Sequence, residues 1–192
     1  MSYFAEIPLV VSFYTKGTLY EKEAEKFVAS CTHFQIVYEI DAVEDLGSWE
    51  ANCLMKPRFL QQKMCQHARP LLWVDIDACF KQAMAFEEFM FSDIAILRYV
   101  EKDLRFMVAG GTVFVNATEF GKQALDLWCH YADEIAKQQI VPFGDQLSLA
   151  LLFRSSFPGQ IALLPQSYCA IFDHPCKEPV VIEHHQASRR AR

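Results

Sequence analysis

Five segments of alternating character open the chain, and few topologies accommodate them. Residues 8–15, "PLVVSFYT", are rich in β-branched and aromatic side chains and are closed by Lys16-Gly17, the signature of a strand entering a turn. Thr18 is placed to cap a helix running to about residue 30, with Ala24, Phe27, Val28 and Cys31 on one face. Residues 34–41, "FQIVYEID", predict a second strand. A polar connection with Gly47 and Trp49 follows, and Pro57 then opens a helix, "PRFLQQKMCQH". Residues 70–77 predict the third strand. Strand, helix, strand, helix, strand is the pattern of a parallel sheet with right-handed crossovers.

The later elements are less regular. Residues 93–99 predict a fourth strand, and residues 105–116 a fifth, with Gly110-Gly111 marking a bulge or bend. A long helix over about 119–138 and a helix over 144–153, entered through a turn, come next. Residues 160–172 and 180–185 read as two late strands. Their short connections point to a mixed sheet. No linker divides the chain, so residues 1–192 are expected to form one α/β domain, with a basic tail at about 188–192 that includes Arg190 and Arg192.

Composition narrows the function classes. Net charge is −6, which speaks against nucleic acid as a partner, because such affinity rests on clustered Lys and Arg. The 7 cysteines are odd in number and include no CxxC pair, as expected of reduced thiols in a cytoplasmic protein. No run is long enough for a transmembrane segment, and the N-terminus lacks the basic region of a signal peptide. Trp49, Trp73 and Trp128 read as core residues.

The chemistry is expected at "LLWVDIDACF", where Asp75 and Asp77 follow an apolar run. Ligands of open parallel sheets bind beyond the carboxyl ends of strands. If the strand continues, the i, i+2 spacing puts both carboxylates on one face. Two such groups repel unless a cation lies between them, and their oxygens suit Mg²⁺ or Mn²⁺, which would grip phosphates in turn. The plainer alternative is an acidic turn at a strand end.

Two enzyme groups place D-x-D after an apolar strand. In haloacid-dehalogenase-type phosphatases the motif opens the chain and a different continuation follows, where this chain has Ala78 and Cys79. The broader resemblance is to the GT-A-fold nucleotide-diphospho-sugar transferases, the D-x-D glycosyltransferases. "VVSFYTKGTLYEKEAEKFVASC", "KPRFL", "WVDIDACF", "GGTVFVNAT", "FGDQLSLALL" and "IEHHQASRRAR" resemble that family's elements in the family's order. The resemblance implies a GT-A-like (Rossmann-like) domain, a mixed, mostly parallel sheet flanked by helices. It implies a hexosyltransferase-like activity moving a sugar from a nucleotide diphosphate donor, UDP-linked, to a hydroxyl acceptor on a glycan, lipid or protein, with Mn²⁺ or Mg²⁺ as cofactor.

It also implies roles. Tyr14 and Thr15 lie where base and ribose are held. Asp77, Asp75 and His184 become the metal ligands, His184 being preferred over His185 as the first residue of H-x-Q-x-S-R; Asp75 also contacts the donor. Arg189 and Lys56 are placed to hold the diphosphate. Gly110, Gly111 and Thr112 let the backbone approach the donor sugar, and Asn116 hydrogen-bonds it. Asp145 and Gln146 fill the D-Q element. Asp145 then orients the acceptor or serves as base, unless it only caps its helix. At 192 residues the chain is short for this fold. Acceptor contacts would then come from a partner or a peripheral membrane surface, or the chain would be a non-catalytic nucleotide-sugar-binding domain. A phosphohydrolase is the other alternative.

Overall fold

A computed structural model describes residues 6–85, 87–99, 107–138 and 143–189. The opening alternation folds as expected. Strand β1 (Leu9–Thr15) pairs in parallel with β2 (Tyr38–Val43) on one side and with β3 (Leu71–Val74) on the other. Helix α1 (Tyr20–His33) makes the first crossover, with Ala24, Phe27 and Cys31 buried. Glu21 and Glu23 stand in its first turn, where the helix dipole favours negative charge. Thr18 sits one residue too early to cap it. Its Oγ1 accepts from the Tyr20 N–H and donates to the Thr15 carbonyl.

The second crossover holds two helices. Residues expected as a polar connection form α2 (Trp49–Leu54), capped by Ser48, whose Oγ accepts the Ala51 N–H. Helix α3 (Lys56–His67) carries Pro57 in its first turn and stops at Ala68, whose φ is +48°. The third strand ends at Val74 and does not run through Asp77 as expected. Asp75 and Asp77 flank a turn, and the chain resumes as β4 (Ala78–Phe80) in a second sheet.

Strands β5 (Ile94–Arg98) and β6 (Val108–Val115) are antiparallel to each other, and β6 is antiparallel to β3. The bulge expected at Gly110-Gly111 is present. Ile96 pairs with Val113, but the next residue, Leu97, pairs with Ala109. Arg105, the expected start of β6, lies outside the described residues. Helices α4 (Glu119–Lys137) and α5 (Gly144–Arg154) follow. The segment 160–172 is not one strand: Pro165 and a 3-10 turn split it into β7 (Ile161–Leu163) and β8 (Ala170–Ile171). Last comes β9 (Ile182–His184). The main sheet has the order β2-β1-β3-β6-β5-β7 and the small sheet the order β4-β9-β8.

Alternation along the strands builds two apolar layers. Leu71 and Trp73 pack on one face with α3, α4 and α5, where Trp128 is fully buried. Leu72 and Val74 pack on the other face with α1 and the small sheet. No helix among the described residues is long and apolar enough to cross a membrane. All 7 cysteines are free thiols.

The entry to α4 is tightly packed. Thr118 caps the helix by accepting the Gly121 N–H, and a Cβ on Gly121 would lie 2.1 Å from the Asn116 carbonyl oxygen. Gly121→Ala is therefore expected to destabilise the fold by about 1–3 kcal/mol, the range for overpacking. A thermal midpoint within a degree of wild type would contradict this packing.

Candidate active site

The end of β3 and the bulge of β6 bring the acidic motif to the rim of the main sheet. The Asp75 N–H donates to the Gly111 carbonyl at 2.8 Å, so the chain keeps its register one residue past β3. The turn then reverses direction into β4, which pairs antiparallel with β9 so that Ala78 faces His184. This small sheet carries a histidine from the far end of the chain to the acidic turn. Ligand atoms of Asp75, Asp77 and His184 lie within 4.8 Å of one another.

Each carboxylate has one oxygen committed. Asp75 Oδ1 accepts from Trp73 Nε1 at 2.8 Å and pairs with Lys56 Nζ at 3.0 Å. Asp77 Oδ2 accepts the Ala187 N–H at 2.6 Å. His184 is buried, and its Nε2 is 2.9 Å from Thr112 Oγ1, leaving Nδ1 as the uncommitted ring nitrogen. Two carboxylates and a neutral imidazole fit a divalent cation such as Mn²⁺ or Mg²⁺. Fixing the second ring nitrogen by a hydroxyl is the support a ligating histidine requires. His185 points elsewhere: its Nε2 meets Glu183 at 3.0 Å.

Burial dominates the electrostatics of these groups. Burial pushes the Asp77 carboxyl up to about 6, and the Asp75 charge adds to the effect, against the Ala187 N–H. Burial pushes His184 down to about 4, with Asp75 opposing. Burial alone would also lower the pKa of Lys56, but the Asp75 and Asp145 charges outweigh it and hold the ammonium protonated.

A cavity of about 240 Å³ adjoins these groups. Tyr14 and Thr15 line one part of it, and Gly111, Asp145 and Gln146 another. Four expected residues have partners other than those expected, Lys56 among them although it lines the cavity. Lys56 is buried and spends its donors on Asp75, on the Gly110 carbonyl (2.8 Å) and on Asp145 Oδ2 (3.1 Å), so it braces the acids and has no donor left for a diphosphate. Thr112 is fully buried and holds His184. Asn116 closes β6 beside the start of β3, at the opposite end of the strand pair, where it donates to the Met90 and Ser92 carbonyls. Arg189 is 2.5 Å from Asp173 and stacks over Phe172, outside this cavity. Arg190 and Arg192 lie outside the described residues. Trp73 and Trp128 are buried in the core as expected, Trp73 also backing the cavity wall, but Trp49 lines the cavity without being buried in the core.

Sequence reasoning gave no role to Tyr20, Gln186 or Ser188, all of which line the cavity. The last two occupy the Gln and Ser positions of the same "HHQASR" stretch that supplies His184, and that spacing was the available signal.

Two outcomes follow from this geometry. A Cβ on Gly111 would lie 2.9 Å from His184 Cε1 and 3.0 Å from Nδ1. Gly111→Ala should therefore displace the imidazole and abolish the rise in thermal midpoint expected of the wild-type chain with Mn²⁺, while the variant still folds cooperatively. A retained Mn²⁺ response would contradict the assignment of His184. The second outcome concerns pH in metal-free protein. The stability that Asp77 contributes is complete below its ordinary value of 3.8 and is lost as pH rises through about 6. His184 behaves oppositely: its contribution is complete above its ordinary value of 6.5 and is lost as pH falls through about 4. Asp77→Asn removes the first effect and leaves the second. In EDTA its melting temperature should fall more steeply on acidification than that of wild type, and parallel profiles would contradict these directions.

No protein-family model matches the chain, and no curated protein does. Solved structures do match. One is the crystal structure of a glycosyltransferase involved in the glycosylation of the major capsid of PBCV-1, similar at a TM-score of 0.69 and 14% identity over 97% of this chain and 96% of that one. The chain therefore has the mixed α/β fold of that solved glycosyltransferase, over nearly the whole of both chains.

Proposed function

We propose that this chain is a glycosyltransferase of the GT-A type, moving a sugar from a nucleotide diphosphate donor to a hydroxyl acceptor. The observation that carries the reading is the convergence of Asp75, Asp77 and His184 beside a cavity that also exposes Asp145, on a fold shared with a solved glycosyltransferase. UDP as the nucleotide rests on the sequence resemblance alone.

Asp75, Asp77 and His184 would hold Mn²⁺ or Mg²⁺. When bound, the cation supplies Lewis-acid stabilisation of the charge that builds on the diphosphate leaving group. Tyr14 and Thr15 would hold base and ribose at one part of the cavity. Lys56 anchors Asp145 by one oxygen, which fixes the carboxyl at the cavity wall so that it can accept a hydrogen bond from the acceptor hydroxyl and orient it. Gly111 keeps the wall clear of a side chain where the donor sugar would lie. Diphosphate contacts expected of Lys56 and Arg189 are not part of this reading.

The test is thermal unfolding with Mn²⁺ and UDP or UDP-sugars, with and without EDTA. A ligand at about 100 times its Kd should add about 2.7 kcal/mol. For a chain of this size that raises the midpoint by about 5–10 °C. Asp145→Asn should keep this shift while losing about 100- to 10,000-fold in sugar release from the donor. Absence of a shift with every nucleotide sugar would sink the reading.

A further inference from the structure

A second, larger cavity of about 810 Å³ lies beyond the first. Its volume is within the range of about 300–1,000 Å³ typical of small-molecule sites. The two share eight residues, among them Trp49, Phe143, Ile171 and Gln186, so they are one continuous cleft with a narrow inner and a wide outer part. Asp145 stands only on the inner side, next to the shared Gln146.

The outer chamber has a distinctive chemistry. Its wall combines the rings of Trp49, Tyr99 and Phe143 with the side-chain amides of Gln146, Gln166 and Gln186, and is completed by aliphatic residues such as Val108 and by His174. Trp49 and Phe143 meet edge to face, with centroids 6.1 Å apart and planes at 83°, which presents ring surface in two directions. An aromatic face carries partial negative charge and attracts the polarised C–H groups of a sugar ring. An amide both donates and accepts, which matches a hydroxyl group. Gln166 has one donor engaged, on the Pro175 carbonyl at 3.2 Å. A lipid would require an unbroken apolar wall. Among the described residues, the arginine at this wall, Arg189, is paired with Asp173.

The backbone fixes the junction of the two cavities. Phe143 and Gln186 hold φ of +67° and +47°, in the left-handed region that non-glycine residues rarely adopt. Both line the junction of the two cavities. Gln35 and Ala68 hold similar φ away from the cleft, and at Gln186 the turn lets the Ala187 N–H reach Asp77, so these φ values fix where the two wall residues stand.

We propose that the outer chamber is the acceptor site and that the acceptor is a carbohydrate, seated on the aromatic wall with one hydroxyl directed to Asp145 and Gln146. This rests on the glycosyltransferase reading and specifies its second substrate. In the transfer, the acceptor oxygen bonds to the anomeric carbon of the donor as its O–H bond breaks. The bond from that carbon to the diphosphate oxygen breaks, its electron pair leaves with the nucleoside diphosphate, and the proton ends on that diphosphate.

Saturation-transfer NMR on the full chain tests this with a panel of methyl glycosides, cellobiose and lactose, beside a Ser/Thr-rich peptide and an alkyl alcohol as hydroxyl probes of other classes. Each is measured with saturating Mn²⁺ and UDP. At least one sugar should receive saturation at its ring C–H protons, and Gln166→Ala with His174→Ala should weaken it about tenfold. Both changes lie in the outer chamber alone, so the Mn²⁺–UDP melting shift should survive them. Failure of every sugar, binding of only the peptide or the alcohol, or expulsion of the sugar by UDP would overturn the proposal. Loss of the Mn²⁺–UDP shift in wild type with sugar binding retained would instead refute the donor reading.

Discussion

Lys56 Nζ has three partners on three different segments: Asp75 just after β3, the Gly110 carbonyl within β6, and Asp145 in α5. It also sits 5.2 Å from the centre of the Trp73 ring. An ammonium buried this completely is tolerable only because two carboxylates and a carbonyl replace the lost water. Removing one member of such a buried set leaves an uncompensated charge and typically costs about 3–5 kcal/mol. The arrangement therefore fixes the relative positions of the acidic turn, the bulge and the α5 entrance together. It also leaves the acids in excess, since one lysine faces Asp75 and Asp145 while Asp77 stands close by. The unmet charge is directed to the side where His184 offers its remaining nitrogen.

The bulge in β6 makes that convergence sterically possible. On the β5 side the ladder skips from Val113 to Ala109, while on the β3 side it continues through Thr112 to the Gly111 carbonyl. Residues 110–112 are thus held by one neighbour and released by the other. At Gly110 a Cβ would press on Asp145 at 3.3 Å and on Lys56 at 3.4 Å. At Gly111 it would meet His184. Glycine is needed here because three chain segments crowd the same strand, and only secondarily because of its backbone freedom.

The parallel arrangement of the first three strands, the glycine bulge and the acidic motif were legible from local pattern, because each leaves a signal within a few residues. What escaped was set by distant contacts. The fate of Lys56 depends on Asp145 and Gly110, and nothing near "KPRFL" separates a lysine that binds phosphate from one that is consumed by carboxylates. Asn116 looked like a sugar contact because it follows β6, but β6 runs antiparallel to β3, so its last residue lies at the end of the sheet away from Asp75. The strand through Asp77 was overextended because apolar Ile76 continues the alternation. Pairing partners, and not propensity, end β3 at Val74. Helix α2 is too short for a helical period to show, and only its Ser48 cap marked it.

The small sheet joins the two halves of the site. His184 and the shared wall residues Gln186 and Ser188 occupy one short stretch, and that stretch is pinned at several points. Ala78 pairs with His184, the His185 N–H donates to the Asp77 carbonyl at 2.9 Å, and the Ala187 N–H donates to the Asp77 side chain. The left-handed turn at Gln186 is what lets Ala187 reach back to Asp77 directly after His184 has faced the acids. Any force that draws Asp77 and His184 together consequently acts on Gln186 and Ser188 through a few covalent bonds. A cation between those ligands would tighten the wall between the inner cavity and the outer chamber. The inner cavity and the outer chamber thus share a wall that is tied to Asp77 and His184 through a single segment of backbone.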